Sequence, residues 1–134
     1  MASIFTKIIN REIPAYIVAE DEHFIAFLDA FPIAHGHVLV VPKQEVDYIF
    51  DLDTETYTHL HLFAKKVAEG LKEAMPCIRV GVAVVGLEVP HCHVHLIPLN
   101  TMDDMTFTKP KLQLEKETME AYREKIAAAL TGKL

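Results

Sequence analysis

The run His91-Cys92-His93-Val94-His95-Leu96-Ile97-Pro98 alternates imidazoles with apolar side chains. Successive side chains of an extended backbone point to opposite faces, so His91, His93 and His95 face one way while Cys92, Val94 and Leu96 face the other. Packing alone explains such a row poorly, because a buried imidazole needs partners for both ring nitrogens. Two chemistries fit. Imidazoles two residues apart on a strand can converge on a zinc-like ion, although three along a strand span roughly 13 Å at about 3.3 Å per residue, too far for one ion to take them all. In the other chemistry, one neutral imidazole attacks phosphorus and forms an N–P bond labile enough to hydrolyse. The flanking histidines then hydrogen-bond phosphate oxygens or move protons.

Such a row needs a sheet to hold it. Tyr16 to Glu20 and Phe24 to Asp29 are β-rich runs divided by Asp21-Glu22-His23, which predicts a hairpin with His23 in the turn and without a role. Gly36 to Pro42 is a third strand. Val80 to Val85 and His91 to Pro98 supply two more, joined by a turn at Gly86 to Pro90, and the five fit an antiparallel meander. Between the third and fourth, Tyr57, Leu60, Ala64, Val67 and Leu71 form one helical stripe, with Asp53 as N-cap, Glu55 complementing the dipole and Pro76 as the stop. A second helix is expected from Lys116 to Leu130, with Met119, Tyr122, Ile126 and Leu130 on its apolar side. The expectation is an α+β fold: a five-stranded antiparallel sheet with two helices against one face, residues 1–134 forming a single domain with a helical tail from about residue 100. Cys92, opposite the histidines, should be buried core. His59 and His61 lie two apart in the first helix, share no face and should be solvated.

The net charge of −6 and the pI near 5.7 argue against broad nucleic-acid binding, which needs a Lys/Arg stripe. A small anionic substrate stays compatible with that charge. Cys77 and Cys92 make no close-spaced motif, and neither a secretory signal nor an apolar span long enough for a membrane is evident. A cytoplasmic protein with reduced thiols is the expectation.

His91-Cys92-His93-Val94-His95-Leu96-Ile97 resembles the motif of the histidine triad (HIT) family of nucleotide hydrolases and transferases. The likeness extends to the block Ser3-Ile4-Phe5-Thr6-Lys7-Ile8-Ile9-Asn10-Arg11-Glu12-Ile13-Pro14, to Ala26-Phe27-Leu28-Asp29, and to His35-Gly36-His37-Val38-Leu39-Val40-Val41-Pro42-Lys43, in the family's order. The resemblance implies a HIT-like fold and a nucleotide phosphoramidase or dinucleoside polyphosphate hydrolase, acting at the α-phosphate through a nucleotidyl-histidine intermediate. It makes His93 the nucleophile, has His91 and His95 orient it and contact the phosphate, and places His37 near the phosphate as a fourth histidine. His35 is read as a turn residue. Asp29 would accept the ribose hydroxyls, its other reading being a turn or cap residue. Ile4, Phe5, Ile8, Ile13 and Phe27 would line the base pocket, where periodicity alone makes them core. The implied ligand is a purine nucleotide or nucleotide conjugate, with no cofactor and no metal. The implied assembly is a homodimer, built on the stripe of the Asp53 to Met75 helix and the adjacent strand.

This chain also departs from the family pattern. Some members bind zinc through an amino-terminal Cys-x-x-Cys and histidines, but Ser3 and Thr6 stand at those cysteine positions and Glu45 at the later histidine, so no structural zinc is expected. The family's polar loop before the triad is replaced by the shorter Val85-Gly86-Leu87-Glu88-Val89-Pro90. Glu88 would repel a phosphate. Either it pairs with a cationic leaving group, or it points outward, or the site is weakened and kept for binding. Two other functions therefore stand beside the enzyme: a nucleotide-binding regulatory protein with little turnover, and a metal-binding protein built on the histidine row.

Overall fold

A computed structural model describes residues 2–134. The hairpin forms from β1 (Ile17–Glu20) and β2 (Phe24–Leu28), with Asp21 Oδ1 accepting from the backbone N–H groups of His23 and Phe24, both at 2.8 Å. With β3 (Val38–Pro42), β4 (Arg79–Ala83) and β5 (Val94–Leu99) it makes one sheet in the order β1-β2-β3-β5-β4, each neighbouring pair antiparallel. The order corrects the expected meander. Because β5 lies between β3 and β4, those two run parallel and need a long crossover. Helix α2 (Thr54–Ala74) provides it, started by Asp53, whose side chain accepts from Thr56 N.

Both faces of the sheet are covered. On one, Phe24, Ala26, Leu28, Val38, Val40, Val94 and Leu96 pack with Leu60, Phe63, Val67 and Leu71 of α2, and with Met119, Ile126 and Leu130 of a helix at Lys116–Leu130. On the other, Ile25, Phe27, Leu39 and Val41 meet Phe5 and Ile8 of α1 (Ile4–Ile9). Periodicity did not signal α1, which starts at Ser3, whose side chain accepts from Thr6 N. The helix at Lys116–Leu130 is α3. Two-sided cover explains why β2 and β3 are buried at every position and read as unbroken apolar runs. It also corrects the expected interface: the α2 stripe is consumed in the protein's own core. Apolar surface remains instead along the edge strand β4 and its flanks, at Ile78, Val82, Val84 and Val85. Cys92 is buried and free, as is half-buried Cys77, and burial pushes the Cys92 thiol up to about 11. No helix among the described residues is long and apolar enough to cross a membrane.

Strand β5 begins at Val94, three residues later than expected. The register pairs Val38 with Leu96 and Val40 with Val94, so Pro42 would face Cys92, and proline has no N–H to continue the ladder. Cys92 N instead donates to Val46 O at 2.7 Å. His91 and His93 therefore sit on an irregular lead-in, and only His95 lies within the strand.

Helix α3 is seated on α2 at a glycine. A Cβ on Gly70 would lie 2.3 Å from Leu130 Cδ2 and 2.9 Å from Leu130 Cγ, a contact no side chain tolerates without displacement. Gly70→Val should therefore lower stability by about 2 kcal/mol in urea unfolding, the cost of overpacking against Leu130 exceeding the ~0.3 kcal/mol that valine gains over glycine in helix propensity. A near-wild-type midpoint would show that α3 is not held by this contact.

Candidate active site

The histidines gather on the α1 face of the sheet. His95 pairs in register with Leu39, and His37, one residue before β3, shares the side of Leu39 and Val41. Their backbone partners settle which ring nitrogen carries each proton. Ile33 N donates to His37 Nδ1 at 3.2 Å, so neutral His37 carries its hydrogen on Nε2 and donates it to His95 Nδ1 at 2.9 Å. His95 consequently keeps its own proton on Nε2. His93 Nδ1 donates to the His91 carbonyl at 2.7 Å, leaving a lone pair on Nε2. His91 Nε2 donates to Pro42 O at 2.8 Å, and its Nδ1 accepts from Ser3 Oγ at 2.8 Å.

An aromatic row fixes the ring planes. Phe5 meets Phe27, His91 and His93 edge to face at 5.5, 5.8 and 4.9 Å between centroids; His93 and His95 lie 4.9 Å apart, and Phe107 caps His95 at 4.9 Å. Burial lowers the pKa of His37 to about 3 and of His95 to about 4, with neighbouring positive charge adding to it, and burial also lowers that of His91. The 3.6 Å approach of His37 Nε2 to Asp29 Oδ2 is thus not an ion pair, since this imidazole is neutral.

Asp29 serves the turn with one oxygen and the site with the other. Oδ1 accepts from Phe31 N at 2.9 Å, while Oδ2 stands beside His37, and burial raises the carboxyl pKa. Asp29, His37 and His95 bring ligand-type atoms within 4.8 Å of one another. The tautomers oppose a metal there: a ligating Nε2 on His37 would move its proton to Nδ1, head-on against the Ile33 N–H. The zinc positions also do not fit an ion. Glu45 Oε1 accepts from Ser3 N at 2.7 Å and from Thr6 Oγ1 at 2.6 Å, and Ser3 Oγ binds His91, so two hydroxyls, one carboxylate and one imidazole close on themselves. Those bonds, the Ser3 N–H first, pull the Glu45 pKa down to about 2.

His91 is fully buried with both nitrogens engaged, which leaves it none free for the phosphate contact expected of it. Of the expected base-pocket residues, Ile4 is exposed and Ile13 half-buried, whereas Phe5, Ile8 and Phe27 are core beneath them. The loop before the histidines turns at Gly86 with φ +72°, is tied down by half-buried Val89, and exposes Leu87 and Glu88. Glu88 is close enough for its charge to raise the Asp29 pKa. A surface cleft of about 420 Å³ lies between Asp21–Phe24 and Glu55–Lys66, away from this cluster; His59 lines it. Exposed His35 bonds Tyr122 Oη at 2.7 Å through Nδ1. Sequence reasoning missed Phe107 and Lys111, which belong to a stretch without periodicity and gave no signal.

Comparison with known proteins places these features in company. The family model described as the HIT domain matches residues 10–102. An uncharacterized HIT-like protein of Borreliella burgdorferi is 35% identical over 132 residues, covering 92% of this chain and 95% of that one. An adenosine 5'-monophosphoramidase of Saccharomyces cerevisiae is 37% identical over 98 residues, covering 72% of this chain and 62% of that one. The crystal structure of a hypothetical histidine triad nucleotide-binding protein from Sulfolobus tokodaii superposes with a TM-score of 0.82 at 33% identity, covering 96% of this chain and 91% of that one.

The buried neutral imidazoles set a pH dependence. Above pH 6.5 they are uncharged folded or unfolded, and their full contribution to stability is present. As pH falls, the unfolded chain takes up protons first, and stability is lost until the folded values near 4 and 3 are passed. Urea unfolding from pH 7 to 4.5 should show stability falling by about 1.4 kcal/mol per pH unit for each such proton. The slope should be shallower in His95→Asn, and an unchanged slope would assign the protons to other groups.

Proposed function

The chain belongs to the HIT domain family, and on that premise we propose that it is a nucleotide phosphoramidase or dinucleoside polyphosphate hydrolase acting at the α-phosphate through a nucleotidyl-His93 intermediate. The observation that carries the reading is the 2.7 Å bond from His93 Nδ1 to the His91 carbonyl, which leaves Nε2 unprotonated at the middle of the histidine row. His93 Nε2 attacks the α-phosphorus, the N–P bond forms as the bond to the leaving group breaks, and the leaving group takes a proton from solvent, which the later attack of water returns. Water then attacks the same phosphorus, releasing a nucleoside monophosphate and regenerating His93. The His95 Nε2–H, held outward by the relay from Ile33 through His37, is the donor for a phosphoryl oxygen. Asp29 Oδ2 accepts the ribose hydroxyls, and Ile4 and Ile13 present the apolar surface for a purine. The similarity to the yeast phosphoramidase supports the phosphoramidate class. A second copy of the chain would dock along the edge strand β4, whose outer backbone groups lack a neighbour and whose flanks expose Ile78 and Val82.

A nucleotide-binding protein with little turnover is the second reading, favoured by the exposed Leu87 and Glu88 where polar side chains would face the phosphate.

Metal-free wild-type protein should release adenosine monophosphate from adenosine phosphoramidate, and His93→Ala should lose that turnover by at least about a thousandfold while still binding the product. Product binding without turnover in the wild type would instead establish the second reading. Glu88→Gln should slow hydrolysis of a substrate with an amine leaving group more than one with a nucleotide leaving group. An equal effect on both would remove Glu88 from leaving-group recognition.

A further inference from the structure

The loop before the histidines offers a phosphoryl group no counter-charge: Val85, Leu87 and Val89 are apolar, Glu88 is anionic, and Pro90 lacks an N–H. A cation near the site comes from a different segment. Beyond β5 the chain makes a short helical turn at Met102–Met105, closed by reciprocal bonds between Thr101 and Asp104, and then runs on without regular structure to α3. Two anchors hold this stretch against the site. The Phe107 ring lies edge to face on His95, and Leu112 N donates to Pro32 O at 2.8 Å, in the turn that joins Asp29 to His37. Between them half-buried Lys111 folds back, its Nζ donating to the Phe107 carbonyl at 3.0 Å.

An ammonium has three N–H donors, and one neutral carbonyl satisfies only one of them. Among the described residues no carboxylate lies within ion-pair distance of Lys111, whereas Lys109 of the same stretch is paired with Asp103 at 3.7 Å. The Lys111 charge is felt at Asp29, His37 and His95, where it favours the carboxylate and disfavours the imidazolium. Lys111 is thus a half-buried cation without a counter-ion among the described residues, near enough for its charge to act on a carboxylate expected to hold ribose and an imidazole expected to touch phosphate.

We propose that Lys111 binds the phosphoryl oxygens of the nucleotide whose ribose rests on Asp29, so that the tail supplies the positive charge the loop lacks. The assignment rests on the nucleotide reading above. Lys111 would hold the anionic group in substrate and product alike, and its charge would offset the growing negative charge on the oxygens during attack by His93.

The test is calorimetric titration of the full-length protein with adenosine monophosphate and, separately, with adenosine, in the wild type, Lys111→Gln and Lys111→Arg. Glutamine keeps an N–H for the Phe107 carbonyl but removes the charge, so it separates phosphate binding from tail packing. Lys111→Gln should weaken the monophosphate about tenfold or more and leave adenosine within about twofold, while Lys111→Arg recovers most of the loss. Equal weakening of both ligands would make Lys111 a packing residue of the tail and overturn the proposal, as would unchanged affinity for the monophosphate. A wild type that binds neither ligand would overturn the nucleotide reading itself. A wild type that binds the monophosphate beside an unaffected Lys111→Gln would overturn only the role of Lys111.

Discussion

Three of the site's imidazoles are oriented by backbone groups whose hydrogen bonding cannot reverse. The carbonyls of Pro42 and His91 only accept, and the N–H of Ile33 only donates, so the proton positions on His91, His93, His37 and, through His37, His95 follow without choice. Burial makes the choice binding, because charging His37 or His95 inside the sheet is costly enough to pull their pKa values to about 3 and about 4. His37 and His95 therefore stay neutral through the physiological range and supply no positive charge, which leaves that part to a side chain outside this pair.

The fold serves that wiring at its weakest structural point. Pro42 ends the β3 ladder because it has no N–H, and its carbonyl, relieved of a strand partner, accepts from His91. The released segment, residues 91–93, is then free to turn the His91 carbonyl onto its own neighbour, His93. Helix α1 closes the arrangement from outside: its N-cap Ser3 binds Thr6 N, reaches His91 through Oγ and is itself held by Glu45. The hydroxyl and carboxylate cluster ties the amino terminus, the segment after β3 and the first histidine together by hydrogen bonds alone.

Much of this was legible in the sequence, because alternation and helical periodicity report which face a residue buries. The five strands, both long helices and buried Cys92 follow from such patterns, whereas the gathering of His37 with the histidine row is implied by the motif resemblance and not by periodicity. The failures have physical causes. Helix α1 has six residues, too few for a periodic signal, and its side chains read equally as members of a motif block. The position of β5 between β3 and β4 is a matter of which strand closes on which edge, and local pattern carries no information about it. The α2 stripe reads as readily as a partner surface as it does as core, because nothing in a stripe says which apolar surface it will meet. Lys111 and Phe107 lie in an irregular segment whose placement depends on two tertiary anchors, and no spacing rule reaches that far.

Those anchors tie the site to the packing of the opposite face of the sheet. The stretch that carries Phe107 and Lys111 is pinned to the Pro32 carbonyl at one end and leads directly into α3, which is seated on α2 through the Gly70–Leu130 contact. The segment has few backbone partners of its own, so its position is set by the Phe107 contact with His95, the Leu112–Pro32 bond and the start of α3. Packing of α3 thus bears on the stretch that sets the Phe107 edge on His95 and carries Lys111. The two sides of the site therefore differ in kind: His95 is held within the sheet and His91 and His93 by hydrogen bonds and ring packing at its margin, whereas Lys111 is carried by an irregular stretch held at Phe107 and Leu112.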